Sequence, residues 1–127
     1  MNTISDSGDM AEPRLRLRLH FGGFMLGPGK ADLLELIDEK GSISAAGRQM
    51  GMSYKRAWML VETMNAAFAA PLVDSSRGGT KGGGAHLTET GQAVLMHFRA
   101  LEAKALAAGG AEIIAIRALV SDMSGQK

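Results

Sequence analysis

Four consecutive residues, Ser53-Tyr54-Lys55-Arg56, put two cations and two hydroxyls side by side. Lys and Arg donate to guanine edges or to phosphate, and Ser and Tyr hydroxyls suit phosphate oxygens. Arg48, a little upstream, adds a cation able to clamp a phosphodiester backbone. A second basic segment, RGGTKGGGA, follows at 77–85, with Arg77 and Lys81 and no acid between Asp74 and Glu89. Five of the chain's 17 glycines lie between Gly78 and Gly84. Backbone of that kind, with Gly79, Thr80 and Gly82 beside Lys81, approaches a phosphate or a minor groove without Cβ interference and offers its N–H groups as donors. Its two cations add the counterion release that dominates non-specific nucleic-acid affinity. Taken singly, the first segment also fits a helical hairpin with solvated charges, and the second fits a loose surface flap.

The elements that must position these residues are legible from periodicity and punctuation. Residues 1–13 are Ser/Asp/Gly-rich and read as a disordered lead-in. Residues 14–21 alternate strictly, with Arg14, Arg16, Arg18 and His20 against Leu15, Leu17, Leu19 and Phe21, which predicts a half-buried strand. A turn at Gly22-Gly23 and a short return strand at 24–26 follow, and Gly27-Pro28-Gly29 closes the segment. Leu33, Leu34, Leu36 and Ile37 predict a helix over about 30–40, stopped by Gly41 at a left-handed C′ position. Ser42 or Ser44 caps a short second helix, and Gly51 makes a tight turn. Ser53 caps a third helix running to about Phe68.

Small residues let two helices cross closely, and Gly47 and Gly51 supply one at the contact and one at the turn. At about 100° per residue, Ala57, Leu60, Val61, Met64 and Phe68 face one side of the third helix, with Lys55, Met59 and Glu62 opposite. Residues 72–75 and 85–87 form the legs of a hairpin tipped by the glycine segment. Thr88 caps a long helix over about 89–108 bearing a stripe of Val94, Phe98, Leu101 and Ala105, and 111–123 reads as a further amphipathic helix. A short helix pair presenting a cationic helix tip, beside a cationic flap, is the anatomy of a winged helix-turn-helix. The fold class is mainly α with small β: an N-terminal strand or hairpin, a β-hairpin wing and a long C-terminal dimerisation helix. The DNA-binding domain spans 14–108, and 109–127 is a short C-terminal helix and tail.

Other chemistries fail on residue type or spacing. The chain has no cysteine, which excludes disulfides and thiolate chemistry. A Walker A reading of Gly29-Lys30 fails because Phe24 stands where the first glycine belongs and Ala31 replaces the hydroxyl. His20, His86 and His97 lack ligand-like spacing, and Glu35, Asp38 and Glu39 form no nucleophile–base arrangement. No enzyme and no cofactor are expected. The net charge of +1 means that any attraction to DNA comes from where the cations sit. No secretory leader or membrane-length apolar run is present, so the expected location is the cytoplasm with no membrane partner.

Together, GSIS at 41–44, the SYK-x-AW run at 53–58, the Glu62-x-Met64-Asn65 pattern and GG-x-KGGGA-x-LT at 78–88, with Gly91-Gln92 behind them, resemble the N-terminal DNA-binding domain of the ModE family of molybdate-responsive bacterial transcription regulators. The resemblance covers roughly residues 15–110. It implies double-stranded DNA as partner, contacted by Ser53, Tyr54, Lys55 and Arg56 and by the wing at Arg77, Thr80 and Lys81. It also implies a homodimer joined through the N-terminal strand (Leu15, Leu17, Leu19) and the long C-terminal helix. The 93–108 stripe, with another apolar helix after it, exceeds what a small three-helix core buries, which independently points to dimerisation. Full-length family members carry C-terminal molybdate-binding domains. This sequence ends one short helix later, so a stand-alone version without its own molybdate site is expected, with an effector-sensing partner left open. Two further readings stay open: a protein-interaction module on the same scaffold, and an oxyanion-binding protein using the wing amides for molybdate or a relative.

Overall fold

A computed structural model describes residues 12–76 and 84–121. In chain order the elements are β1 (Leu19–Phe21), β2 (Phe24–Leu26), α1 (Pro28–Lys40), α2 (Ile43–Gln49), α3 (Tyr54–Ala67), β3 (Val73–Ser76), β4 (Gly84–Leu87), α4 (Glu89–Ala108) and α5 (Gly110–Arg117). The strands form two antiparallel hairpins, β1 with β2 and β3 with β4. This is a winged helix-turn-helix. The chain divides into two compact units, one of residues 17–100 and one of residues 1–16 with 101–127.

The N-terminal strand is shorter than its alternation predicts. Only 19–21 pair, with Leu19 opposite Leu26 and Phe21 opposite Phe24 around a turn whose Gly22 has φ +60°. A strand exists only while it has a partner, and β2 ends because Pro28 opens α1. Its missing N–H and fixed φ suit the first helical position. Among the described residues, 14–18 pair with no strand, and Gly27-Pro28-Gly29 starts a helix rather than closing a loop.

Helix boundaries follow their local signals. Gly41 ends α1 with φ +70° and donates its N–H to the Ile37 carbonyl at 2.8 Å. Ser42 caps α2, accepting from the Ala45 N–H at 3.0 Å. α2 crosses α3 closely at Gly47, where a Cβ would stand 2.7 Å from the Ala57 Cβ. Gly51, at φ +76°, turns the chain between the two helices.

The core of the 17–100 unit is built from Leu33, Leu34 and Ile37 of α1, Ile43 and Ala46 of α2, Ala57, Val61 and Met64 of α3, and Leu72, Val73, Ala85 and Leu87 around the second hairpin. A smaller cluster joins Leu26, Ala31 and Phe98, with Leu17, Leu19 and Val94 against it. The rings of Phe24 and Phe68 meet edge to face at 5.5 Å, fixing the end of α3 to β2. The Lys30 ammonium lies 5.6 Å from the Phe24 ring centre, a cation–π position.

In the other unit, α5 ends at Arg117, short of the predicted 123, and its apolar residues face outward. Ile114, Ile116 and Leu119 are 70%, 62% and 86% exposed.

Candidate nucleic-acid interface

The tip of α3 is built for a negatively charged partner. Ser53 is extended and its hydroxyl oxygen accepts from the Arg56 N–H at 3.1 Å, satisfying one of the donors that a helix start leaves open. Its own O–H remains available to donate. No acid stands in the first turn, so the positive end of the helix dipole is reinforced by Lys55 and Arg56, both exposed. Tyr54 is 59% exposed. Its ring stands edge to face with Trp58 at 6.0 Å, which restrains the phenol. Arg48, exposed in the last turn of α2, lies across the Gly51 turn. The buried side of the same helix carries Ala57, Val61 and Met64, so α3 has the expected two faces.

The base of the wing is held by Asn65 and by a second use of Thr88 that the sequence did not disclose. The Asn65 side-chain oxygen accepts from the Leu72 N–H at 2.8 Å and the Val73 N–H at 3.1 Å, while its NH2 donates to the Val73 carbonyl at 3.1 Å. One amide thus replaces three backbone partners where β3 begins. The Thr88 hydroxyl donates toward the Pro71 and Leu72 carbonyls, at 2.6 and 3.2 Å, and accepts from the Gly91 N–H at 3.0 Å. A Cβ on Gly91 would collide with the Leu72 carbonyl, so that glycine is what lets α4 lie against the start of β3. Asn65, Thr88 and Gly91 all fall inside the quoted sequence patterns, which was the one available signal. Their partners lie 7 to 17 residues away for the two side chains.

The wing residues Arg77, Gly79, Thr80, Lys81 and Gly82 lie outside the described residues, as do the amides an oxyanion would need. The described legs pair in register, Val73 with Leu87 and Ser76 with Gly84. His86 Nε2 stands 3.6 Å from Asp74 Oδ2 across the ladder, both exposed.

The carboxylates of α1 have structural uses. Arg99 of α4 reaches Asp32 at 2.7 Å and Glu35 at 2.9 Å, and Gln92 donates to Asp38 at 3.3 Å. These half-exposed contacts are worth about 0.2–1 kcal/mol each. Among the described residues no group of three His, Cys, Asp or Glu is placed to hold a metal ion. No described helix is long and apolar enough to cross a membrane.

One expected dimer contact is corrected. Phe98 is 2% exposed and packs with Leu26 and Ala31, so its ring belongs to the chain's own core. Leu17, Leu19 and Val94 pack against the same cluster. Leu15 and Leu101 are each 37% exposed, and Ala105 is half-buried.

Comparison with known proteins agrees with this geometry. Residues 30–92 match the family described as bacterial regulatory helix-turn-helix protein, lysR family. The molybdenum-pterin-binding protein MopB of Rhodobacter capsulatus is 46% identical over 81 residues, which are 64% of this chain and 30% of MopB. The molybdenum transport protein ModE of Azotobacter vinelandii is 41% identical over 80 residues, 63% of this chain and 30% of that protein. The DNA-binding transcriptional dual regulator ModE of Escherichia coli K12 is 39% identical over 71 residues, 56% of this chain and 27% of the regulator. Residues 30–92 form a helix-turn-helix domain similar to those of MopB and the ModE proteins. The domain contains α1 except its first two residues, α2 to β4 whole and the first turn of α4, so Ser53-Tyr54-Lys55-Arg56, Asn65, Thr88 and Gly91 all lie within it. The chain spans about 30% of the length of MopB and of the Azotobacter ModE, so the likeness concerns this domain.

Proposed function

We propose that this chain is a ModE-like transcriptional regulator that binds duplex DNA in the cytoplasm and catalyses no reaction. The observation that carries the reading is the exposed, acid-free N-terminal turn of α3, oriented by its Ser53 cap and by the packing of its opposite face. Lys55 and Arg56 enter the major groove, where helix-turn-helix proteins place the start of this helix. Arg48 and Tyr54 hold phosphates, and Gly78–Gly84 with Lys81 engages backbone or the minor groove. The names of the relatives support genes of molybdenum supply as targets.

We further propose a homodimer. A two-fold pair sets recognition helices ~34 Å apart or a multiple of that, and so reads a palindromic operator. Support comes from Leu101, Leu106, Ile114, Ile116, Leu119 and Val120, all exposed and apolar. Leu15, also expected at the interface, is exposed as well.

Selection of bound duplexes from a random pool tests the DNA reading; enrichment of a palindrome is expected, and a pool that stays random rejects it. Against the selected site, Lys55→Ala or Arg56→Ala costs ~1–3 kcal/mol and relaxes base preference at one position. Lys81→Ala weakens all sequences alike and lowers the salt slope by ~1. Gel shifts over a salt series separate the two; equal loss of base preference in both variants contradicts the assignment.

A further inference from the structure

The outward face of α3 continues past its first turn. Lys55, Met59 and Glu62 stand at i, i+4 and i+7, within an arc of about 60° on one side of the helix, and all three are exposed. Met59 is 56% exposed and belongs to neither core cluster, whereas Ala57, Val61 and Met64 of the same helix are buried. The helix is regular there, and the Thr63 hydroxyl donates to the Met59 carbonyl at 2.9 Å.

An exposed methionine serves either a protein partner or a nucleic acid. Its surroundings decide between them, because the cores of protein interfaces are depleted of charge and Met59 is ringed by Lys55, Arg56 and Glu62. The same setting suits a major groove, where side chains of mixed polarity meet base edges. In that groove thymine alone presents a methyl group, read by apolar contact. A thioether on a flexible, unbranched stem adapts to such a target. Met59 lies four residues past Lys55, about 6 Å along the axis at the helical rise, and base pairs repeat every ~3.4 Å.

We propose that Met59 reads a thymine methyl group about two base pairs from the base contacted by Lys55. This rests on the DNA-binding reading above and makes α3 a reader over two turns, with an apolar step in the middle of a polar face.

The test starts from the site selected out of a random pool. Each thymine is replaced in turn by deoxyuridine, which removes only the methyl, and affinities are measured for the full chain and for Met59→Ala and Met59→Leu. At one thymine per half-site the unmodified protein loses about fourfold, the worth of burying one methyl. Met59→Ala shows no such loss there, and Met59→Leu, which stays apolar, retains part of it. Circular dichroism checks that both variants fold. A penalty unchanged in Met59→Ala, or no methyl-sensitive thymine at all, overturns the Met59 assignment while leaving DNA binding intact. A pool without enrichment removes the DNA reading itself, and Met59 with it.

Discussion

The α2–α3 pair and the 101–121 region expose opposite chemistries. Around the Gly51 turn the outward residues are mainly Arg48, Lys55 and Arg56 with polar neighbours, and of the large apolar side chains there only Tyr54 and Met59 stand out. Along the end of α4, α5 and the residues after it, Leu106, Ile114, Ile116, Leu119 and Val120 stand exposed among Lys104, Glu112 and Arg117. A cationic surface is stable in water and waits for an anion. A cluster of exposed apolar side chains is better covered by protein. On the proposed reading, binding and assembly fall to separate stretches of sequence and are separable by mutation.

The largest effect sharpens the comparison by marking what belongs to neither surface. Gly91→Val forces a side chain into the Leu72 carbonyl and costs about 3 kcal/mol of stability through overpacking. Urea unfolding reads it, and DNA affinity falls only with the folded fraction. Next, Ile114→Glu with Ile116→Glu puts charge on the apolar surface; self-association weakens roughly thirtyfold, about 2 kcal/mol. Sedimentation shows a shift towards monomer with unchanged helical content by circular dichroism, whereas intact dimers remove the assembly role of α5. The smallest change is Ser53→Ala, which withdraws the acceptor from the Arg56 N–H and lowers stability by about 1 kcal/mol. An unfolding midpoint unmoved by it would deny that cap its weight.

What the chain disclosed beforehand was what neighbours dictate. Gly41, Ser42, Gly51, Ser53 and Thr88 each act within about four residues of themselves, so cap and turn chemistry placed the helix pair, the wing legs and the tip of α3. The misses were non-local. The 14–21 alternation promised a strand, but pairing depends on a second segment, and Pro28 had already committed that segment to a helix. Phe98 sat on a periodic stripe, yet periodicity does not say whether the stripe meets its own chain or another; Leu26 and Ala31 claimed it. Asn65 looked like an ordinary helix residue until β3 arrived at its side chain.

Thr88 occupies a junction with a mechanical consequence. It follows the last residue of the second wing leg, starts the long helix, and is pinned by its hydroxyl and its N–H to the Leu72 carbonyl ahead of the first leg. No slack separates the three. A tilt imposed on the opening turns of α4 is inherited by both legs of the hairpin, as a key turns its bit.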